Sequence, residues 1–275
     1  MHNDSLSQIE PFLRLGWFLG IFILMMIAEY WAPRRLEQHR LVRWPGNVGL
    51  VVLNTLLVRI ILPGATVWMA YKAQVWNLGL FNWLDLPRWF EFCVAVVLLD
   101  CGIYWQHRFA HSIPALWQVH RVHHTDTQYD VTTGSRFHPI EIIISVIIKL
   151  AMILVLGASA WAVVIFEIVL NATAMFNHSN FKIPVLLDAK IRKVLVTPDM
   201  HRVHHSILVE ELNRNFGFNL SIWDRLFGTY QQQPRDGHDQ MLIGLSEYRE
   251  PGEARIDRLI SQPFRKPLNR ATGLK

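Results

Sequence analysis

Histidine is the residue of this chain whose number and spacing bear on chemistry: of thirteen, ten fall in or beside a few short motifs. The pentapeptide H-R-V-H-H occurs twice, at 120–124 and 201–205, and H-R-F-A-H sets His107 four residues before His111. At this histidine frequency roughly 0.03 H-x-x-H-H patterns would arise by chance, so the repetition has a cause, and clustered imidazoles point to metal. His178 in F-N-H-S-N and His138 in R-F-H-P-I-E complete the set.

On a helix, residues four apart share a face, which lets His107 and His111 reach one ion. Within each H-x-x-H-H unit the first and last histidines share a face, while the middle one is turned by about 100° toward a second ion. Two such units facing one another build a two-metal site. The candidates are His107, His111, His120, His123, His124, His178, His201, His204 and His205, with His138 as a tenth, which is more than one mononuclear site can use. Structural zinc takes about four ligands, often with cysteine among them. Cys93 and Cys101 are not near the clusters; about 12 Å apart along one helix, they are too distant for a disulfide and read as small buried hydrophobes. Imidazole suits zinc, copper, iron and nickel alike. Asp126, Asp130, Glu141, Asp199 and Asp224 lie near the clusters, but none stands in a Glu-x-x-His arrangement, so they are expected to hold ring N–H groups.

The elements that must position these histidines read as membrane helices. The chain is 51% hydrophobic and 18% charged, against roughly 25% charged in soluble domains, and its apolar runs approach the about 20 residues that cross a bilayer. They cover 15–31, 48–71, 90–105, and then 140–156 and 158–176, a hairpin turning near Gly157. Pro63 and Gly64 predict a kinked or broken second span, in which Arg59 either snorkels or marks a shallow segment, or else faces a partner or water. The expected fold is all-α and multi-pass, about three spans plus a helical hairpin, with a histidine-rich helical cap. It divides into N-terminal membrane spans (1–89), a histidine-bearing domain (90–230) and a basic cytoplasmic tail (231–275). The arginine-rich stretch 34–43 belongs in the cytoplasm by the positive-inside rule, which puts every histidine cluster on that side. The net charge of +5 comes from basic residues flanking apolar spans; that pattern excludes nucleic acid and fits an anionic membrane surface. No removable signal peptide is expected at the start.

The two H-R-V-H-H boxes, H-R-F-A-H, F-N-H-S-N, R-F-H-P-I-E at 136–141 and N-F-G-F-N-L-S-I-W-D-R-L-F-G-T-Y at 215–230, with an apolar hairpin between, resemble the fatty acid hydroxylase and sterol desaturase superfamily. The resemblance runs from about Phe90 to Tyr230. It implies a catalytic domain whose histidines hold two iron ions (Fe2+, with zinc as a substitute in purified protein) on the cytosolic face. With O2 as co-substrate, such an enzyme hydroxylates or desaturates a C–H bond of a lipid or sterol-like substrate. The family's ligand positions carry over to the nine histidines named above, while His138 is either a further ligand or an orienting residue ahead of the hairpin. A lipid tail would approach from the bilayer through a slot for which Trp105, Trp117, Trp161, Phe176 and Trp223 are candidates, unless they are ordinary core and interfacial aromatics. The sequence carries no haem, flavin or cysteine-cluster motif, so electrons are expected from a separate donor of ferredoxin, cytochrome b5 or reductase type. Hydroxylation is preferred because it needs no second positioned C–H.

Other classes use the same histidines. A metal transporter or sensor would need liganding residues within the spans, which hold few. A metallohydrolase would need a metal-bound water and a general base such as Asp199 or Glu141. A cap stabilised by metal without turnover is the plainest alternative. The compact chain, with no ER-retrieval tail, leans toward a bacterial cytoplasmic membrane over the ER.

Overall fold

The apolar runs and their breakers set the helices. The computed structural model describes residues 2–266, in which there are helices, turns and loops but no strands beyond three isolated bridges. Helix α1 (His2–Trp31) is followed by α2 (Arg40–Ile61) and α3 (Ala65–Val75), then a short α4 (Leu80–Trp83). The break between α2 and α3 falls at Pro63 and Gly64, as expected, because proline cannot continue the ladder and Gly64 takes φ +60. Arg59 is exposed, one turn before that break. Next come α5 (Arg88–Ser112) and α6 (Pro114–His124), which starts with proline in its first turn, where a missing N–H costs nothing. The hairpin is α7 (Pro139–Leu156) and α8 (Ala160–Asn177), turning at Gly157. Six short helices finish the cap: α9 (Val185–Ile191), α10 (Pro198–His204), α11 (Val209–Leu212), α12 (Ile222–Leu226), α13 (Gly237–Gln240) and α14 (Ile256–Ser261).

Among the described residues, five segments are long and apolar enough to cross a membrane: Leu6–Trp31, Arg40–Trp83, Arg88–Ser112, Pro139–Leu156 and Ala160–Asn177. The chain is thus the all-helical, multi-pass architecture that hydropathy predicts. At its centre is α8, whose Ala162, Val163, Val164 and Phe166 pack with Ala95, Leu99 and Ile103 of α5 and Val67 and Ala70 of α3. A carboxylate at this depth needs partners. Glu167 of α8 has them: Arg14 of α1, Lys149 of α7 at 2.5 Å, and Thr66 of α3, whose hydroxyl donates to it at 3.0 Å.

One feature differs from the sequence expectation, and one adds to it. The second span begins at Arg40 rather than Val48, because its first turns lie in the cap and bury polar groups. Arg43 donates to Asp126 (2.5 and 2.8 Å) and Asp130 (2.9 Å), and Asn47 donates to Asp126 (3.1 Å) and Thr132 (3.0 Å). The C-terminal stretch, as far as residue 266, folds onto this layer. Leu259 of α14 is fully buried with Leu50 and Val122, and Arg121 donates to the carbonyls of Gln262 (2.8 Å) and Arg265 (3.1 Å). Residues 267–275 of that expected tail lie outside the described residues.

Candidate metal centre

Four helix ends converge to bring the histidines together. The last turns of α5 carry His107 and His111, and α6 folds straight back with His120, His123 and His124. His178 caps the C-terminus of α8. Helix α10 opens on Pro198, with the Thr197 side chain accepting from the Met200 N–H, and so presents His201 and His204, followed by His205.

The nine rings fall into two groups whose donor atoms lie within 4.8 Å of one another: His107, His111, His120, His124 and His204 in one, His123, His178, His201 and His205 in the other. Each H-R-V-H-H helix serves both. On α6 the first and last histidines enter the group of five and the middle one the group of four; on α10 the first and last enter the group of four and the middle one the group of five. This is the 100° rotation acting on two helices that face each other.

The rings are oriented from behind. A carbonyl oxygen only accepts, so an imidazole bonded to one through Nδ1 carries its proton there and leaves Nε2 as a lone pair. His107 donates in this way to Phe216 (2.7 Å), His178 to Ala174 (2.7 Å), His201 to Asn215 (3.2 Å) and His204 to Arg214 (2.7 Å). His120 donates through Nδ1 to the Glu141 carboxylate at 2.6 Å. The Nε2 atoms of these rings and of His111, His123 and His124 crowd one another: His107 and His204 at 3.0 Å, His111 and His124 at 3.1 Å, His120 and His124 at 3.2 Å, His123 and His178 at 3.0 Å. Such spacing is that of neighbouring nitrogens about 2.0–2.1 Å from a shared ion. His201 Nε2 and both ring nitrogens of His205 are buried without any hydrogen-bond partner. Unmet lone pairs at these positions, in all-nitrogen sets of five and four, fit two metal ions.

Electrostatics agree with neutral ligands. Burial first, and neighbouring imidazoles second, push His123, His124, His201 and His205 well below the usual histidine range, and burial dominates at His204. Burial takes His178 down to about 3 even against the Ala174 carbonyl, which favours its charged form.

His138 is not brought to either group. It caps α7, accepting from the Ile140 N–H at Nδ1 (3.2 Å), and its Nε2 donates to the Ile260 carbonyl (3.1 Å), which is the orienting role ahead of the hairpin. Of the five carboxylates expected behind the rings, only Glu141 bonds one. Asp126 and Asp130 hold Arg43; burial pushes Asp126 up, but Arg43 and Arg136 outweigh it and keep this carboxyl well below the usual range. Asp199 faces Arg34 and Arg202. Asp224 accepts the N–H groups of Phe216 (2.8 Å) and Gly217 (2.9 Å), pinning the turn whose carbonyls receive three of the rings. Those carbonyls, of Arg214, Asn215 and Phe216, are what side-chain reading misses: no residue type marks a backbone oxygen. Among the candidate slot aromatics, Trp117 packs on His111 (4.9 Å) and His124 (5.6 Å), whereas Trp105 packs on Phe227 (4.9 Å) and Trp223 donates to Asp100.

The family model of fatty acid hydroxylases matches residues 92–229. Among curated proteins, the chain is 31% identical to an ornithine lipid hydroxylase of Rhizobium tropici over 149 residues, 54% of this chain and 44% of that one. It is 32% identical to an alkylglycerol monooxygenase of Danio rerio over 169 residues (60% and 36%), and 26% identical to a probable Delta(7)-sterol 5(6)-desaturase of Neurospora crassa over 158 residues (56% and 41%). It spans less than half the length of each. No solved structure matches. The matched half of the chain begins in α5, ends beyond α12 and holds all nine grouped histidines, so the chain belongs to the fatty acid hydroxylase family.

Proposed function

We propose that the protein is an oxidoreductase holding two iron ions, one in the group of five histidines and one in the group of four, and that it hydroxylates a lipid with O2. The carrying observation is the interleaving of the two groups, with buried, neutral, unpartnered nitrogens at the ends of membrane-spanning helices. Iron bound there would supply the reductive activation of dioxygen that an unactivated C–H bond requires. The balance is R–H + O2 + 2 electrons + 2 protons → R–OH + H2O. The chain's own part is to hold its imidazoles neutral, aim them from behind through Glu141 and the 214–216 carbonyls, and keep bulk water from the centre by burial.

Support for a lipid substrate comes from the relatives, named as lipid hydroxylase, alkylglycerol monooxygenase and sterol desaturase. Electrons would come from a separate ferredoxin, cytochrome b5 or reductase. The arginine-rich 34–43 stretch supports a cytoplasmic cap. The test is metal analysis followed by turnover in membranes with 18O2 and a reductant. Two irons per chain and a lipid product carrying one 18O are expected; a product formed equally without oxygen would sink the reading.

A further inference from the structure

On the side of α9 and α12 the cap leaves a run of apolar side chains uncovered. Val185, Leu186 and Leu187 of α9 are 77%, 82% and 49% exposed, Val194 60%, and Ile222 and Leu226 of α12 52% and 65%. The segment 182–195 reads K-I-P-V-L-L-D-A-K-I-R-K-V-L. Its single acid, Asp188, is buried and pairs with Arg192 of the same segment, so the charge left facing out is that of Lys182, Lys190 and Lys193.

The depth of this surface follows from what it is bonded to. The Leu220 N–H (3.1 Å) and the Trp223 indole N–H (2.7 Å) donate to Asp100 of α5, the Ser221 N–H donates to the Val194 carbonyl at 2.9 Å, and Asn219 bonds Thr173 of α8. Asp100 stands midway along the 25-residue α5, about 18 Å from either end at 1.5 Å per residue, in a helix long enough to cross a hydrocarbon core of roughly 30 Å. The edge that carries Val194 and Ile222 is therefore tied to two of the helices long and apolar enough to span, well within the length of α5.

We propose that residues 182–195, with Ile222 and Leu226, form a lipid-immersed shelf of the cap that binds anionic phospholipid. The apolar side chains lie among the acyl chains of the near leaflet, and Lys182, Lys190 and Lys193 meet the phosphates. A helix of seven residues is too short to register as a span, which is why hydropathy passes over it.

Spin labelling of the full chain in lipid nanodiscs tests this. With Cys93 and Cys101 replaced by alanine, single cysteines are placed at Leu186→Cys and Leu226→Cys, with Val155→Cys on α7 as the lipid-facing reference and Asp236→Cys as the aqueous one. Labels at 186 and 226 should relax with oxygen as the 155 label does and be shielded from a water-soluble nickel chelate. Accessibility to nickel like that at 236 would overturn the proposal, as would dipolar broadening at 186, which would mean that a second copy covers the surface. In discs containing phosphatidylglycerol, Lys190→Gln with Lys193→Gln should cut the retained anionic lipid several-fold by native mass spectrometry. Unchanged retention would remove the headgroup contact.

Discussion

A neutral imidazole binds metal and a protonated one does not, so burial of these rings has a consequence that can be measured without turnover. For His178 the folded value is about 3, below the ordinary 6.5. The unfolded chain therefore binds more protons than the folded one between those values, and stability rises with pH across that window. Metal-stripped protein should accordingly melt at a falling temperature as pH drops from 7.5 to 5, with no matching loss between 7.5 and 9; a flat profile would contradict the buried neutral rings. A second prediction concerns Glu141, a positioning residue that acts through His120. Its carboxylate fixes the ring tautomer, so Glu141→Gln should weaken metal retention about 10- to 100-fold in chelator competition, leaving ion number in excess iron unchanged. A third separates the groups. His178→Ala removes a member of the four and His111→Ala a member of the five, so each should lower bound iron from two per chain toward one, whereas the same change at His138 should leave two.

Helices, not loops, decide which ring joins which group, and this is why much of the centre is readable from spacing alone. In H-x-x-H-H the fixed rotation per residue sends the middle ring away from the outer two, and both copies do so in the folded protein. The supports behind the rings are not readable in this way: Glu141 was visible as a nearby acid, but the carbonyls of 214–216 become acceptors only because Asp224 closes a turn around them. His138, conspicuous as an imidazole, turns out to cap α7. The hairpin shows the same division. Two apolar runs and a glycine announce it, yet the need for that glycine is tertiary. Gly157 sits at φ +69, and a Cβ there would meet Asn82 Nδ2 at 2.6 Å and the Leu78 carbonyl oxygen at 2.9 Å. Gly157→Ala should therefore destabilise the protein by about 1–3 kcal/mol through backbone strain alone, more if Asn82 cannot move, read as a lowered melting temperature in detergent.

At the scale of the whole molecule, the centre is enclosed from two directions. Spans converge on it from the membrane, and on the far side the chain's C-terminal stretch closes over α2 and α6. This closure was not legible because it rests on scattered single residues rather than a periodic face: Leu259 fills the space against Leu50 and Val122, Gln262 accepts from Arg121, and the Ile260 carbonyl accepts from His138. Helix α6 carries three of the nine grouped histidines, with Val122 between two of them facing Leu259. Its rotation, which aims two rings at one group and one at the other, thus depends on packing from a segment well over a hundred residues away. Leu259→Ala should cost about 2–5 kcal/mol as a buried large-to-small change. Because a small turn of α6 misdirects His120, His123 and His124 together, both groups should lose iron in parallel on dialysis against a chelator, unlike the one-group loss expected for a single ligand variant. Metal analysis of Leu259→Ala beside His178→Ala separates the two behaviours; retention of two irons by a destabilised Leu259→Ala would mean that the spans alone hold α6 in register.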